Sequence, residues 1–185
     1  MASRNLIKLP TFSKRPTLLN AVVESPRGSR VKLKYDPDSD VFALSYVLAR
    51  GSTFPCEFGF IPSTLGDDGD PLDILILMDA ATCTGCVLSA RALGVIEAEQ
   101  TQEGSTFRND RIIAIALAEH ERAHFRSLDG IAPALLDEIE HFFVAYNQMR
   151  GRAFKPLHRA GPETVAKLLK RGIARFAKQQ GTYRQ

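Results

Sequence analysis

Gly66-Asp67-Asp68-Gly69-Asp70-Pro71-Leu72-Asp73 runs straight into Ile74-Leu75-Ile76-Leu77-Met78, and the rest of the chain can be read outward from this stretch. Four carboxylates fall within seven positions and are followed by an apolar run. That run has the length of a short buried strand. In an extended chain Asp68 and Asp70 point to one side and Asp73 to the other. Gly69 permits backbone angles closed to other residues, and Pro71 fixes its own φ. A bend here could aim all three carboxylates at one point.

Converging carboxylates need a counterpart. Two unit charges about 4 Å apart repel by about 1 kcal/mol in water and about 4 kcal/mol near a protein surface. A metal ion relieves that repulsion, and an all-oxygen set suits Mg²⁺, Mn²⁺ or Ca²⁺ rather than a thiolate-seeking ion. An EF-hand is excluded. Counted from Asp68, its obligatory glycine falls on Asp73 and its closing glutamate on Asp79. An acidic turn capping a strand fits the same letters, so both readings stand on the residues alone.

Upstream, Val31, Leu33 and Tyr35 alternate with Lys32, Lys34 and Asp36, a period-two strand whose polar face lines up Arg30, Lys32 and Lys34. A solvated strand face reads the same way. Val41–Ala49 forms a hairpin with it across Asp36-Pro37-Asp38-Ser39-Asp40. Ala21–Glu24 is a short strand, and Phe54–Pro62 is aromatic and extended. Residues 1–19 mix Lys and Arg with Pro10 and Pro16 and read as a basic arm with weak local structure. Downstream, Cys86–Glu97 is rich in β-formers, residues 98–110 read as a polar loop, and Arg111–Leu117 is a short strand. Five or six strands at hairpin spacing predict a small closed or nearly closed barrel. Leu135, Leu136, Ile139, Phe142, Phe143, Tyr146 and Met149 then recur at helical steps, opened by Pro133 and stopped by Gly151. After a basic turn, Val165, Leu168, Leu169, Ile173 and Phe176 predict a second helix. Strands first and helices last make one α+β domain over 1–185.

Composition limits the function classes. A chain of 185 residues with 44% hydrophobic and 24% charged content is an ordinary globular domain. No apolar run is long enough to span a membrane, and no secretory h-region opens the chain. A formal charge of +3 gives no argument for nucleic acid. The basic residues crowd into the first 34 positions, where Glu24 is the one acid. A basic segment facing the acidic stretch at 67–73 is what a site for metal plus anion requires. Three cysteines, an odd number, speak against a disulfide framework and for a reducing, cytoplasmic location.

Asp68-Gly69-Asp70-Pro71-Leu72-Asp73 resembles the signature of family I soluble inorganic pyrophosphatases. Three other blocks are similar in order and spacing over about residues 20–155. Phe54-Pro55-Cys56-Glu57-Phe58-Gly59-Phe60-Ile61-Pro62 resembles the family's Tyr-Pro-x-x-Tyr-Gly-Phe-Ile-Pro. Glu24-Ser25-Pro26-Arg27-Gly28-Ser29-Arg30-Val31-Lys32 resembles its Glu-x-Pro-x-Gly-x-x-x-Lys. His141-Phe142-Phe143 with Tyr146 and Arg150-Gly151-Arg152 resembles its C-terminal helix and the turn after it. The resemblance implies an OB-like, mostly antiparallel barrel flanked by two helices. It implies hydrolysis of pyrophosphate to phosphate with Mg²⁺, or Mn²⁺, and a homo-oligomer, a hexamer by preference. Asp68, Asp70 and Asp73 would hold metal, with Asp70 also the general base and Glu24 an outer ligand through water. Lys32, Phe58, Arg111 and Tyr146 would line the substrate. Asp110 or Glu103 would stand in for the family's downstream metal-binding acids.

The chain departs from that pattern at several positions. Lys34 stands where the family has an acid, and Tyr46 where it has an arginine. Phe54 and Phe58 replace tyrosines, Asn109 an aspartate and Asn147 a lysine. These losses keep two other readings beside the first: a hydrolase for another phosphate ester, and a weak or inactive phosphate-binding oligomer subunit. Outside the blocks, Cys83-Thr84-Gly85-Cys86 with His120 and His124 mimics a zinc ligand set, but the gap to His120 is far too long. No βαβ pattern surrounds the pair, as a thioredoxin-like motif would need. His141 is expected among helix core residues.

Overall fold

A computed structural model describes residues 5–118 and 124–182. Among these residues the strands are β1 (Leu19–Ser25), β2 (Val31–Asp36), β3 (Val41–Val47), β4 (Glu57–Phe60), β5 (Asp73–Leu77), β6 (Val87–Gln102), β7 (Ser105–Arg108) and β8 (Arg111–Ala116). Helix α1 (Pro133–Gln148), strand β9 (Ala153–Ala160) and helix α2 (Pro162–Thr182) follow. Strand β1 pairs with β4, β4 with β5, β5 with β8, β8 with β6, and β6 again with β1. The pairings run round a barrel-like ring, antiparallel except for β5 beside β8. The ribbon of β2 and β3 stands as a separate two-stranded sheet. The α+β architecture with its mostly antiparallel sheet and two C-terminal helices is the one the sequence predicts.

The apolar run 74–78 has its cause in this arrangement. Ile74 and Ile76 of β5, with Ile112 and Ala114 of β8, pack with Val165, Leu168 and Leu169 of α2. Leu75 and Leu77, with Ile113 and Ile115, pack with Leu136, Ile139 and Phe143 of α1. Strands covered on both faces lose the alternation of polar and apolar residues. Gly59 of β4 faces β1 so closely that a Cβ there would lie 1.9 Å from the carbonyl oxygen of Val22. Only glycine allows that approach.

Four expectations are corrected. His141 of α1 is exposed rather than partly buried among the helix core residues. Residues 98–110 are not a loop. Strand β6 runs on to Gln102 and turns through Glu103 and Gly104, both at positive φ, into β7. Such a pair of left-handed residues matches the twist of a hairpin. The basic segment after α1 is strand β9, which pairs with β6 from Val95 to Thr101. Pro156 disguises it, and it sits beside the register shift between Glu97 and Ala98, where a missing N–H is tolerated. The N-terminal arm is docked from residue 5 onward. Leu6–Lys8 is a 3₁₀ turn whose Leu6 N–H donates to Tyr35 Oη, and Thr11 Oγ1 donates to the Pro62 carbonyl. Residues 1–4 lie outside the described part.

Candidate active site

The acidic stretch is a closed turn at the head of β5. Gly66 N–H donates to the Asp70 carbonyl at 2.7 Å, and Asp70 N–H donates to Asp68 Oδ1 at 3.1 Å. Gly69 takes φ +85°, the left-handed value that makes the bend. The bend sets Asp68, Asp70 and Asp73 on the wall of one cleft of about 1310 Å³, together with Glu24, Lys32, Lys34, Arg111 and Tyr146. Asp67 is turned away and pairs with Arg175 of α2.

Each carboxylate has a different neighbour. Both oxygens of Asp70 accept from Lys34 Nζ at 2.8 Å. Asp73 pairs with Arg111 at the head of β8, and the same guanidinium nitrogen donates to Asn109 Oδ1. Burial pushes the Asp73 carboxyl up to about 6, with Arg111 opposing. Burial also raises Asp68 above the usual carboxylate range. Among the described residues no three His, Cys, Asp or Glu side chains are grouped as a ready metal cage. Asp70 must swing from Lys34 to join its neighbours. The donor set still fits a hard divalent cation: all oxygen, partly desolvated, and strained by its own charge.

The same cleft is also lined by cations. Lys32 on β2 donates to Glu24 Oε2 at 2.5 Å, and its Nζ lies 3.8 Å from the centre of the Phe58 ring. Burial lowers the Lys32 pKa, with Glu24 and Asp73 acting against it. Glu24 Oε1 accepts from Tyr35 N–H at 2.8 Å, so both Glu24 oxygens are engaged at the end of β1. Lys34, two residues on and on the same face as Lys32, is half exposed. Burial works against its charge, but hydrogen bonding and charge from Asp70 hold its pKa above the ordinary value. Arg111 is buried with its Nε unpaired, its guanidinium 5.3 Å from the Phe143 ring and 5.2 Å from Phe154. Tyr146 on α1 accepts from Arg150, which lies 5.2 Å from both the Tyr46 and Tyr146 rings. Burial raises the Tyr146 hydroxyl, with Arg150 opposing.

Two further expected ligands lie near the acidic turn but have other partners: Asp110 borders a small pocket with Asp68 and Asp73, and Glu103 borders the main cleft. Asp110 Oδ1 accepts from Ala98 N–H at 2.9 Å and from Arg108 at 2.8 Å, so it serves the β6–β7 hairpin. The side chain of Asn109 reaches the Arg111–Asp73 pair, whereas Asp110 meets Arg111 only through its backbone carbonyl at 3.4 Å. Glu103 lies on the hairpin turn at the cleft's edge. Asn147 is buried and donates back to the Phe143 carbonyl at 2.8 Å. Arg30 donates to the Leu48 carbonyl at 3.3 Å and does not join Lys32 and Lys34. Arg150 and the contact of Lys34 with Asp70 were not assigned from sequence. The alternation of Lys32 and Lys34 was the available signal for the latter. His120 lies outside the described residues, and the His124 ring lies edge-on to Phe125.

Comparisons with known proteins identify the family. Residues 21–177 match the family model for inorganic pyrophosphatase. The chain belongs to that family. An inorganic pyrophosphatase of Nostoc is 34% identical over 172 residues, covering 93% of this chain and 99% of the relative. The crystal structure of the inorganic pyrophosphatase from Thermus thermophilus superposes with a TM-score of 0.85 at 31% identity, covering 94% of this chain and 99% of that one. An inorganic pyrophosphatase structure from Coxiella burnetii gives a TM-score of 0.82 at 29% identity, over 91% of this chain and 99% of that one.

Proposed function

We propose that the chain hydrolyses inorganic pyrophosphate to two phosphates, with divalent metal held by Asp68, Asp70 and Asp73. One observation carries the reading: the carboxylates of the acidic turn and the cations Lys32, Lys34, Arg111 and Arg150 line one cleft together. Bound Mg²⁺, or Mn²⁺, would neutralise phosphate oxygens and acidify a water. The protein's own groups do the rest. Lys32, Arg111 and Arg150 attract and orient the two phosphoryl groups, and the Phe58 and Phe143 rings deny their cations a full water shell. Tyr146, kept protonated by burial, donates a hydrogen bond to the departing phosphate. Asp70, freed from Lys34, accepts the proton of the attacking water. Glu24 keeps Lys32 in place and offers a carboxylate to the same space.

The reading extends to a homo-oligomer, a hexamer by preference, acting in the cytoplasm. Phosphate release from pyrophosphate with Mg²⁺ tests the activity, and light scattering tests the assembly against the 20.4 kDa monomer. A protein that releases no phosphate with either Mg²⁺ or Mn²⁺ would instead be a phosphate binder, the reading that Lys34 on Asp70 and Asn109 beside Arg111 would then favour.

A further inference from the structure

The loop from β5 to β6 carries a feature that pyrophosphate hydrolysis does not use. Cys83-Thr84-Gly85-Cys86 is a tight turn: Cys86 N–H donates to the Cys83 carbonyl at 3.1 Å, and Gly85 takes φ +86°. The turn brings the two Sγ atoms to 3.2 Å. A turn of this kind keeps its first and last Cα within about 7 Å, the range a disulfide spans. Cys83 is exposed, Cys86 is half-buried, and Cys56 is buried. The turn is also fastened to β1 beside Glu24. Val23 N–H donates to the Cys86 carbonyl and Gly85 N–H to the Val23 carbonyl, both at 2.9 Å, while Thr84 Oγ1 donates to the Glu24 carbonyl at 3.0 Å.

We propose that Cys83 and Cys86 are a dithiol–disulfide site, closed by exchange with an external disulfide and felt at Glu24 through the backbone of Val23. Cys83, the more accessible thiol, attacks one sulfur of the oxidant as its thiolate and releases the first small thiolate. Cys86 then attacks Cys83 Sγ of the mixed disulfide and expels the second. One protein S–S bond forms and the oxidant's S–S bond is lost. The two protons shed by the cysteines end on the two released thiols. The hydrogen bond with Cys86, and the charges of Cys86 and Glu57, hold the Cys83 thiol above its ordinary pKa, so exchange speeds up as pH rises.

The test equilibrates the whole protein with mixtures of oxidised and reduced glutathione, then alkylates it and maps peptides by mass. The expected result is loss of both alkylatable thiols from the peptide holding Cys83 and Cys86, reversed by dithiothreitol, with Cys56 still reduced. Cys86→Ser should stop at a glutathione adduct on Cys83. Amide exchange at Val23 and Gly85 should slow on the order of tenfold in the oxidised protein, as closing so short a loop implies. A wild type that stops at the glutathione adduct, or that keeps both thiols in the most oxidising mixture, overturns the site. An unchanged exchange rate at Val23 overturns its link to Glu24.

Discussion

Replacing Lys34 by glutamine should tighten metal binding to the protein before any substrate is present. Lys34 Nζ lies 2.8 Å from both oxygens of Asp70, so an ion entering the acidic turn must first displace it. The two side chains are 53% and 49% exposed, and solvent screens the pair. Displacing such a pair therefore costs about 0.2–1 kcal/mol. A displaced ammonium still faces the incoming ion. At about 5 Å in water, one positive charge repels a divalent ion by about 1.7 kcal/mol. Together these amount to about 2 kcal/mol, or roughly a 30-fold penalty on divalent affinity. Lys34→Gln should then bind Mn²⁺ about tenfold or more tightly, with Lys34→Arg unchanged within about threefold because it keeps the charge. Titration of metal-free protein with Mn²⁺, followed by calorimetry or by the electron-spin signal of free Mn²⁺, measures this without turnover. An unchanged or weaker affinity in Lys34→Gln would refute the reasoning, since it would mean that Lys34 does not compete for Asp70.

Asp70→Asn should lower phosphate release about 10²–10⁴-fold while the circular dichroism spectrum and melting temperature stay near wild type. Gly59→Ala should lose about 3 kcal/mol or more of stability in urea unfolding, because its Cβ meets the Val22 carbonyl at 1.9 Å and β4 must separate from β1. Asp73 sets a pH slope in the metal-free protein. Its folded pKa, about 6, lies above its unfolded value of 3.8, so the folded state holds the extra proton and stability falls as pH rises from about 4 to about 6. That fall should approach about 3 kcal/mol, and Asp73→Asn should flatten it; parallel stability–pH curves for the two proteins would show that Asp73 is not the titrating group.

The fold was legible where pattern and burial agree. The run 74–78 and its counterpart 111–117 announce strands covered on both faces, and the helical steps from Leu135 to Met149 place α1 with its buried Leu136, Ile139 and Phe143. It was illegible where one strand serves several neighbours. Strand β6 meets β1, then β8, then β9 and β7 along its 16 residues, so its polar end looks like a loop until the partners are known. Strand β9 is hidden for the same reason: only Phe154 is buried in it, because its other residues cover the outer half of β6. At the site, residue type and spacing pointed to Asp68, Asp70 and Asp73, and the family resemblance added Lys32 and Tyr146. What it could not supply was pairing across the chain. Nothing local links Lys34 to Asp70, 36 positions away, or Arg111 to Asp73, 38 away.

Those pairings change how the departures from the family pattern add up. Taken one by one, Tyr46 and Asn147 remove cations, Asn109 removes an acid, and Lys34 replaces an acid with a cation. Taken in place, they leave the cleft with cations from the family-like blocks and add one at Lys34. Arg150, in the turn that resembles the family's own, lies against the Tyr46 and Tyr146 rings, so the cleft keeps a guanidinium beside residue 46. Lys34 puts a fixed positive charge on the acidic turn itself. Asn109, lacking a charge, accepts from the Arg111 guanidinium beside Asp73 without neutralising it, and the Arg111 Nε has no hydrogen-bond partner. A cleft arranged this way meets an anionic substrate with more of its positive charge built into the chain and less of it dependent on bound metal. The same arrangement weakens the hold of Asp70 on metal, because its carboxylate is already occupied. Tighter anion binding and weaker metal binding are therefore two consequences of one residue, Lys34, and a substitution there should move them in opposite directions.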